Sequence, residues 1–212
     1  MMPLAIVMIF IYAPRERVMG DVQRIFYFHV ASAWTGFFAF FIVFAASILF
    51  LRSRKNLYHL TARASAEIGV IFTTFVLVSG MLWARAAWNT WWTWDARLTT
   101  TLIMWFIYLG YLFLISAAGG GEKSLRRLAA VYGVVAFVNV PLVFMSIRWW
   151  RTMHPVVIDM EGGGLTSRMI VVLVYSLITL TLLYFSLLGY RRRQLEQREE
   201  LNRLRSRIEK LR

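Results

Sequence analysis

The feature that most constrains this chain is a series of long apolar blocks separated by short charged connections. A bilayer-spanning helix needs about 20 mostly apolar residues, and five blocks meet that length. They are Ile25–Leu51, Ala64–Trp83, Leu98–Ala118, Leu128–Ile147 and Met169–Tyr190. A sixth block, Met2–Ala13, provides only about 18 Å of helix, as expected for the end of a first span whose beginning is missing or very short. The sequence therefore predicts an all-α integral membrane protein with a bundle of six transmembrane helices, the first one short.

Composition agrees with a membrane location and excludes several other classes of protein. Hydrophobic residues make up 59% of the 212 residues, well above the 45–50% typical of a soluble domain, so a water-soluble enzyme is excluded. Because the chain has no cysteine, disulfides, thiolate metal sites and iron–sulfur clusters are excluded too.

Basic residues indicate the orientation of the bundle in the membrane. Connections 52–63 and 119–127 together with the tail carry sixteen Lys and Arg residues, whereas connections 14–24, 84–97 and 148–168 carry eight. By the positive-inside rule, both termini should be cytoplasmic and the second group of connections should face outward. The net charge of +13 then reflects topology, and no nucleic-acid surface is expected because the loops are too short to build one.

The chain divides into one transmembrane domain, residues 1–190, and a basic cytoplasmic tail, residues 191–212. In the tail, apolar residues recur at helical spacing, which predicts a helix with a narrow apolar stripe: Leu201, Leu204, Ile208 and Leu211. Two interpretations stay open. The tail either extends the last span near anionic headgroups or docks a cytoplasmic or membrane partner.

Tryptophan is concentrated on the side predicted to face outward. Two of the nine tryptophans fall inside spans, and the other seven lie at or beyond the outer surface: Trp83, Trp88, Trp91, Trp92, Trp94, Trp149 and Trp150. An ordinary aromatic belt decorates both interfaces, which this distribution does not match. Clustered indole rings instead suit stacking against a large planar or cationic ligand.

Two of the three histidines are predicted on the same side, and both are candidate ligands for iron. His29 lies near the outer end of the second helix, and His154 follows the fifth helix after Trp149 and Trp150. Neutral imidazole binds iron well and is a common axial ligand of haem, although a lone histidine at a helix end is usually an interfacial hydrogen-bonding residue. His59 is predicted in an inner loop with no ligand role.

Three other side chains carry weaker predictions. Arg97 could pair with a carboxylate of a bound ligand or with a lipid phosphate. Asp95 precedes the fourth span and should cap its helix. Glu67, about one turn inside the third span, should reach the interface or pair with Arg63.

The run from Trp88 to Thr100, WNTWWTWDARLTT, resembles the tryptophan-rich WWD signature of haem-handling proteins in cytochrome c biogenesis. Within that group the chain resembles the CcmC family across nearly its whole length, although Asn89 stands where the family commonly has Gly. The resemblance implies that the cargo is non-covalently bound haem b with His29 and His154 as axial ligands of the iron. It further implies haem contacts from Trp88, Trp91, Trp92, Trp94, Asp95 and Arg97.

The resemblance also implies partners and a location. Haem would be delivered to the periplasmic haem chaperone CcmE, alongside CcmA, CcmB and CcmD, in the bacterial inner membrane. The expected role is haem binding and transfer and not enzymatic catalysis, beyond any assistance to covalent attachment of haem on the chaperone. Two alternatives remain from the residues themselves: an exporter subunit whose aromatic face docks a partner without a cofactor, and a receptor or channel with a tryptophan cage for a quaternary ammonium ligand.

Overall fold

The computed structural model of the chain describes residues 1–17, 19–117, 123–150 and 165–211. It is a helical bundle. A short helix α1 (Met2–Val7) continues into a π-helical turn (Met8–Tyr12). The longer helices are α2 (Gln23–Ser53), α3 (Asn56–Trp88), α4 (Ala96–Ala117), α5 (Lys123–Ala136), α6 (Asn139–Trp149) and α7 (Ser167–Glu209).

The helices confirm the predicted membrane fold. Within the described ranges, five helical segments are long and apolar enough to cross a membrane: α2, α3, α4, the α5–α6 pair and α7. The segment Met2–Tyr12 is apolar but shorter, as the short first block predicted. The chain is therefore a multi-pass membrane protein.

The fifth span consists of two helices because of a proline. Residues Phe137 and Val138 form a turn between α5 and α6, and Pro141 lies in the first turn of α6. Proline has no N–H to donate, and its ring clashes with the carbonyl four residues earlier, here that of Phe137. A continuous helix is therefore broken at this point.

Two predicted boundaries were wrong. The first five residues of the connection predicted at 84–97 are helical, because α3 continues to Trp88. Only residues 89–95 are non-helical. His59, predicted in a loop, lies in the first turn of α3 and is buried, 5.5 Å from the ring of Phe50 between centroids. Polar residues in the outer turns of a long helix weaken the apolar pattern, so the apolar block alone underestimated α3 at both ends.

The centre of the bundle is packed around α2 and α3, which approach each other through small residues. A Cβ atom on Gly69 would lie 2.6 Å from the Phe40 ring, so only glycine fits there. Ser65 donates a 2.7 Å hydrogen bond to the Ala39 carbonyl, and Phe40 stacks on Tyr108 of α4 at 3.5 Å between ring centroids. Small residues at a helix interface are a common means of close packing in membranes.

The two ends of the bundle carry different groups. The end at which residues 89–95 connect α3 to α4 is called the loop end, and the opposite end, where α3 begins, is called the tail end. At the tail end, Arg126 of α5 donates to Asn56 at 2.6 Å and to Glu199 of α7 at 3.0 Å, and Asn56 donates to Glu199 at 2.7 Å. This network holds the extension of α7 against the bundle.

Candidate functional site

The loop end is shaped first by the way in which α3 stops. Asn89 has φ of 56° and ends α3 in the left-handed conformation, which asparagine tolerates better than most residues other than glycine. One guanidinium nitrogen of Arg85 donates to the Asn89 side-chain oxygen at 2.6 Å and to its carbonyl at 2.9 Å. The turn that starts the tryptophan loop is therefore held in place by side-chain bonds.

The other end of the loop is held by Asp95. Its Oδ1 accepts a hydrogen bond of 2.9 Å from the backbone N–H of Leu98, so the prediction that Asp95 caps α4 is confirmed. A carboxylate in this position satisfies an otherwise unpaired N–H and interacts favourably with the helix dipole. The Asp95 carboxylate also interacts electrostatically with the half-buried Arg97. Asp95 thus fixes the start of α4 relative to the loop.

Between these two anchors, the indole rings pack edge to face. Trp83 meets Trp88 at 5.0 Å between centroids and Trp92 meets Trp94 at 5.6 Å, with interplanar angles of 80° and 79°. Trp91 remains 56% exposed and Trp94 76% exposed. The loop therefore combines internally packed rings with a rim of exposed indoles.

Several polar atoms of this region are buried without a hydrogen-bond partner among the described residues. They are Trp83 Nε1, Trp92 Nε1, Thr93 Oγ1 and Thr99 Oγ1. A buried donor without a partner costs free energy comparable to a lost hydrogen bond. Four such atoms around one loop fit a bound molecule that offers acceptor oxygens.

His29 lies beneath this loop, on the seventh residue of α2. Its Nδ1 is 2.9 Å from Ser79 Oγ, and that hydroxyl lies 2.6 Å from the Phe75 carbonyl oxygen. The single hydroxyl proton of Ser79 is directed to the carbonyl, so Ser79 accepts a hydrogen bond from His29 Nδ1–H. A neutral imidazole protonated on Nδ1 carries its lone pair on Nε2, the nitrogen that can then bind a metal.

Glycine provides the space for this imidazole. A Cβ atom on Gly80 would approach His29 Cε1 to 3.2 Å, tighter than most real contacts, so glycine lets the ring lie directly against α3. Ser79 precedes Trp83 by one helical turn, about 6 Å, and precedes Asn89 by about 15 Å. A planar ligand that reached both His29 and the loop would therefore stand along the helix axis.

The structure brings most of the predicted site residues to one end of the bundle. The loop and the helix ends beside it carry Trp88, Trp91, Trp92, Trp94, Asp95 and Arg97, with His29 below them. His154 lies outside the described residues. The sequence reasoning missed Ser79, Gly80, Thr93 and Thr99; the spacing of Ser79 four residues before Trp83 is the one local signal that could have drawn attention to it.

The fold and this site define a class: a multi-pass membrane protein with a tryptophan-rich loop above an oriented histidine. A family model described as "Heme exporter protein C" matches residues 1–207. The chain belongs to this family.

Its relatives include bacterial and mitochondrial proteins. A heme exporter protein C from Bradyrhizobium diazoefficiens is 36% identical over 177 residues, 82% of this chain and 67% of that protein. A putative cytochrome c biosynthesis ccmC-like mitochondrial protein of Marchantia polymorpha is 34% identical over 160 residues, 75% of this chain and 67% of that protein. The Escherichia coli K12 heme exporter protein C is 36% identical over 145 residues, 68% of this chain and 58% of that protein. Family membership therefore places the chain among proteins involved in haem delivery for cytochrome c biogenesis.

Proposed function

We propose that the chain binds haem b non-covalently at the loop end, with His29 and His154 as axial ligands of the iron. The single observation that carries the proposal is the hydrogen bond between His29 Nδ1 and Ser79. Metal-binding histidines almost always donate their second ring N–H to a neighbouring acceptor, which fixes the tautomer and the ring orientation. His29 has this arrangement with Ser79.

The tryptophan loop supplies the apolar and polar surroundings of the macrocycle. Indole rings of Trp88, Trp91, Trp92 and Trp94 would stack on or border the porphyrin, each aromatic pair contributing about 0.5–1.5 kcal/mol beyond burial. The two carboxylates of haem would accept hydrogen bonds from the buried donors that lack partners and would pair with Arg97. Asp95 contributes by holding the start of α4 and not by contacting the iron.

Delivery follows from the exposed rim of the same loop. Exposed Trp91 and Trp94 suit contact with another protein, because aromatic residues are enriched at the centres of interfaces. We assign this surface to the periplasmic haem chaperone CcmE, with CcmA, CcmB and CcmD as further partners in the bacterial inner membrane. The chain acts as a binding and transfer protein and not as an enzyme.

Absorption spectroscopy of the purified protein after addition of haem tests this proposal. We expect a six-coordinate, low-spin spectrum that becomes five-coordinate in His29→Ala and in His154→Ala, and that added imidazole partly restores. Trp91→Ala should weaken haem retention with the ligation signature unchanged. His59→Gln, at the tail end, is the control and should change neither.

Two outcomes would contradict the proposal. A protein that stays colourless after haem addition would favour the alternative of an exporter subunit whose aromatic face docks a partner. An unchanged spectrum in both His29→Ala and His154→Ala would reject the two-histidine site even if haem bound.

The proposed orientation places both termini in the cytoplasm and the tryptophan loop in the periplasm. Reporter fusions at Gly120 and after Arg212 should behave as cytoplasmic, and a fusion at Gly163 as periplasmic. A periplasmic signal from the fusion after Arg212 would put the loop on the wrong side for delivery to a periplasmic chaperone.

A further inference from the structure

An apolar groove with a volume of about 620 Å³ runs between α2, α3 and α7 on the side of the bundle. Its walls include Phe28 and Ser32 of α2, Ile71 and Phe75 of α3, and Leu183 and Leu187 of α7. Ile71 is 55% exposed and Phe75 59% exposed, so the groove opens sideways, toward the lipid. Its volume lies in the range of about 300–1,000 Å³ that small-molecule sites occupy.

The groove connects two groups that differ in chemistry. Near the tail end it is lined by Glu67 and Arg191, and near the loop end by Ser79, the residue whose hydroxyl bonds His29. Glu67 and Ser79 are twelve residues apart on α3, which corresponds to about 18 Å along the helix axis. One end of the groove therefore carries a cluster of charged side chains. The other end is lined by Ser79, which is hydrogen-bonded to the candidate iron ligand His29.

The charge cluster has an excess of positive charge. The Glu67 carboxylate accepts hydrogen bonds from Arg63 at 3.2 Å and from Arg191 Nη2 at 3.3 Å. Two guanidinium groups against one carboxylate leave a net positive charge in a partly buried, apolar setting. A second carboxylate brought to this point would be attracted strongly, because charge-assisted bonds to arginine gain strength where water is scarce.

We propose that this groove is a lateral binding site through which haem passes from the lipid to His29, with its carboxylates held at Arg191 and its ring along the apolar walls. The proposal rests on the proposed function. Aromatic walls on both α2 and α3, such as Phe28 and Phe75, favour a planar macrocycle over a flexible acyl chain. The groove spans about three helical turns, from Glu67 to Ser79, so a ring whose carboxylates lie at Arg191 extends along it toward His29.

Transfer of haem from phosphatidylcholine vesicles into the protein, reconstituted in separate vesicles and followed by its absorption spectrum, tests the proposal. Leu183→Trp fills the groove, and we expect it to slow transfer about tenfold with the final spectrum unchanged. Leu182→Trp is the matched control, because the neighbouring Leu182 is exposed but does not line the groove. It should transfer haem at the wild-type rate.

A second pair of variants leaves the size of the groove nearly unchanged. Arg191→Gln should slow transfer about fivefold, whereas Arg193→Gln, an exposed arginine two residues further along α7, should not. Equal rates within both pairs would overturn the proposal while leaving the loop-end site intact, because His29→Ala tests that site separately. If phosphatidylglycerol in the protein's vesicles removed the difference between Arg191→Gln and Arg193→Gln, the arginine would serve lipid headgroups and the proposal would be wrong.

Discussion

Replacement of Ser79 by alanine tests the orientation of His29 without touching a proposed iron ligand. The variant removes the acceptor that lies 2.9 Å from His29 Nδ1. The imidazole then loses the bond that keeps its proton on Nδ1 and its lone pair on Nε2. Haem affinity should fall while the protein stays folded, because the α-helical backbone around Ser79 does not depend on this hydroxyl.

The expected magnitude follows from the geometry. A neutral hydrogen bond contributes about 1 kcal/mol, which alone corresponds to about a fivefold loss of affinity. Removing a group that orients a metal ligand typically costs about 10–100-fold in metal affinity or activity, because the ring orientation and tautomer are lost together. We expect a loss of about tenfold in Ser79→Ala, and recovery in Ser79→Thr, whose hydroxyl can occupy the same position.

Titration of the purified protein with haem, followed by absorption, measures this change. Ser186→Ala is the matched control, since Ser186 also donates to the carbonyl four residues earlier, at 3.0 Å, but has no histidine beside it. If Ser79→Ala bound haem as tightly as Ser186→Ala, with the same spectrum, the hydrogen bond would have no part in positioning an iron ligand.

Three further changes have defined outcomes. Gly80→Ala places a Cβ atom 3.2 Å from the imidazole, which should shift the ring by a few tenths of an ångström and alter the low-spin bands of the haem spectrum. Gly69→Ala places a Cβ atom 2.6 Å from an aromatic ring of α2 and should destabilise the bundle by about 1–3 kcal/mol, measured as a lower thermal midpoint in detergent, whereas Gly189→Ala, with nothing within 4 Å, should not. Glu199→Gln removes the carboxylate that accepts from Arg126 at 3.0 Å, and faster proteolysis of the tail should report its release.

The membrane-spanning blocks and the helix cap could be predicted because their signals are local. An apolar run of sufficient length has few alternatives to a spanning helix, and Asp95 caps the helix that begins at the next residue. The break before α6 also has a local cause, because Pro141 removes a backbone donor wherever it lies in a helix. Each of these features depends on residues within a few positions of one another.

The features that depend on packing between helices could not be predicted. His29 and Ser79 are 50 residues apart, and their contact requires the register in which α2 packs against α3. That register is set in part by Gly69 against Phe40, a steric fit that no spacing rule encodes. The ion pair between Glu67 and Arg191, separated by 124 residues, depends in the same way on how α7 packs.

The length of α3 relates the loop-end site to the membrane. Its 33 residues correspond to about 50 Å, whereas the hydrocarbon core is about 30 Å thick and the whole bilayer about 40–45 Å. An α3 that lies close to the membrane normal must project beyond the hydrocarbon core. Asn56, the first residue of α3, is hydrogen-bonded to Glu199. This bond fixes the start of α3 at the level of the polar network formed by Asn56, Arg126 and Glu199. Under the proposed function, the excess length carries Trp88 and the exposed Trp91 and Trp94 to the aqueous side. Ser79, about 14 Å before Trp88 along α3, then stays with His29 at a depth that a lipid-dissolved ligand can reach.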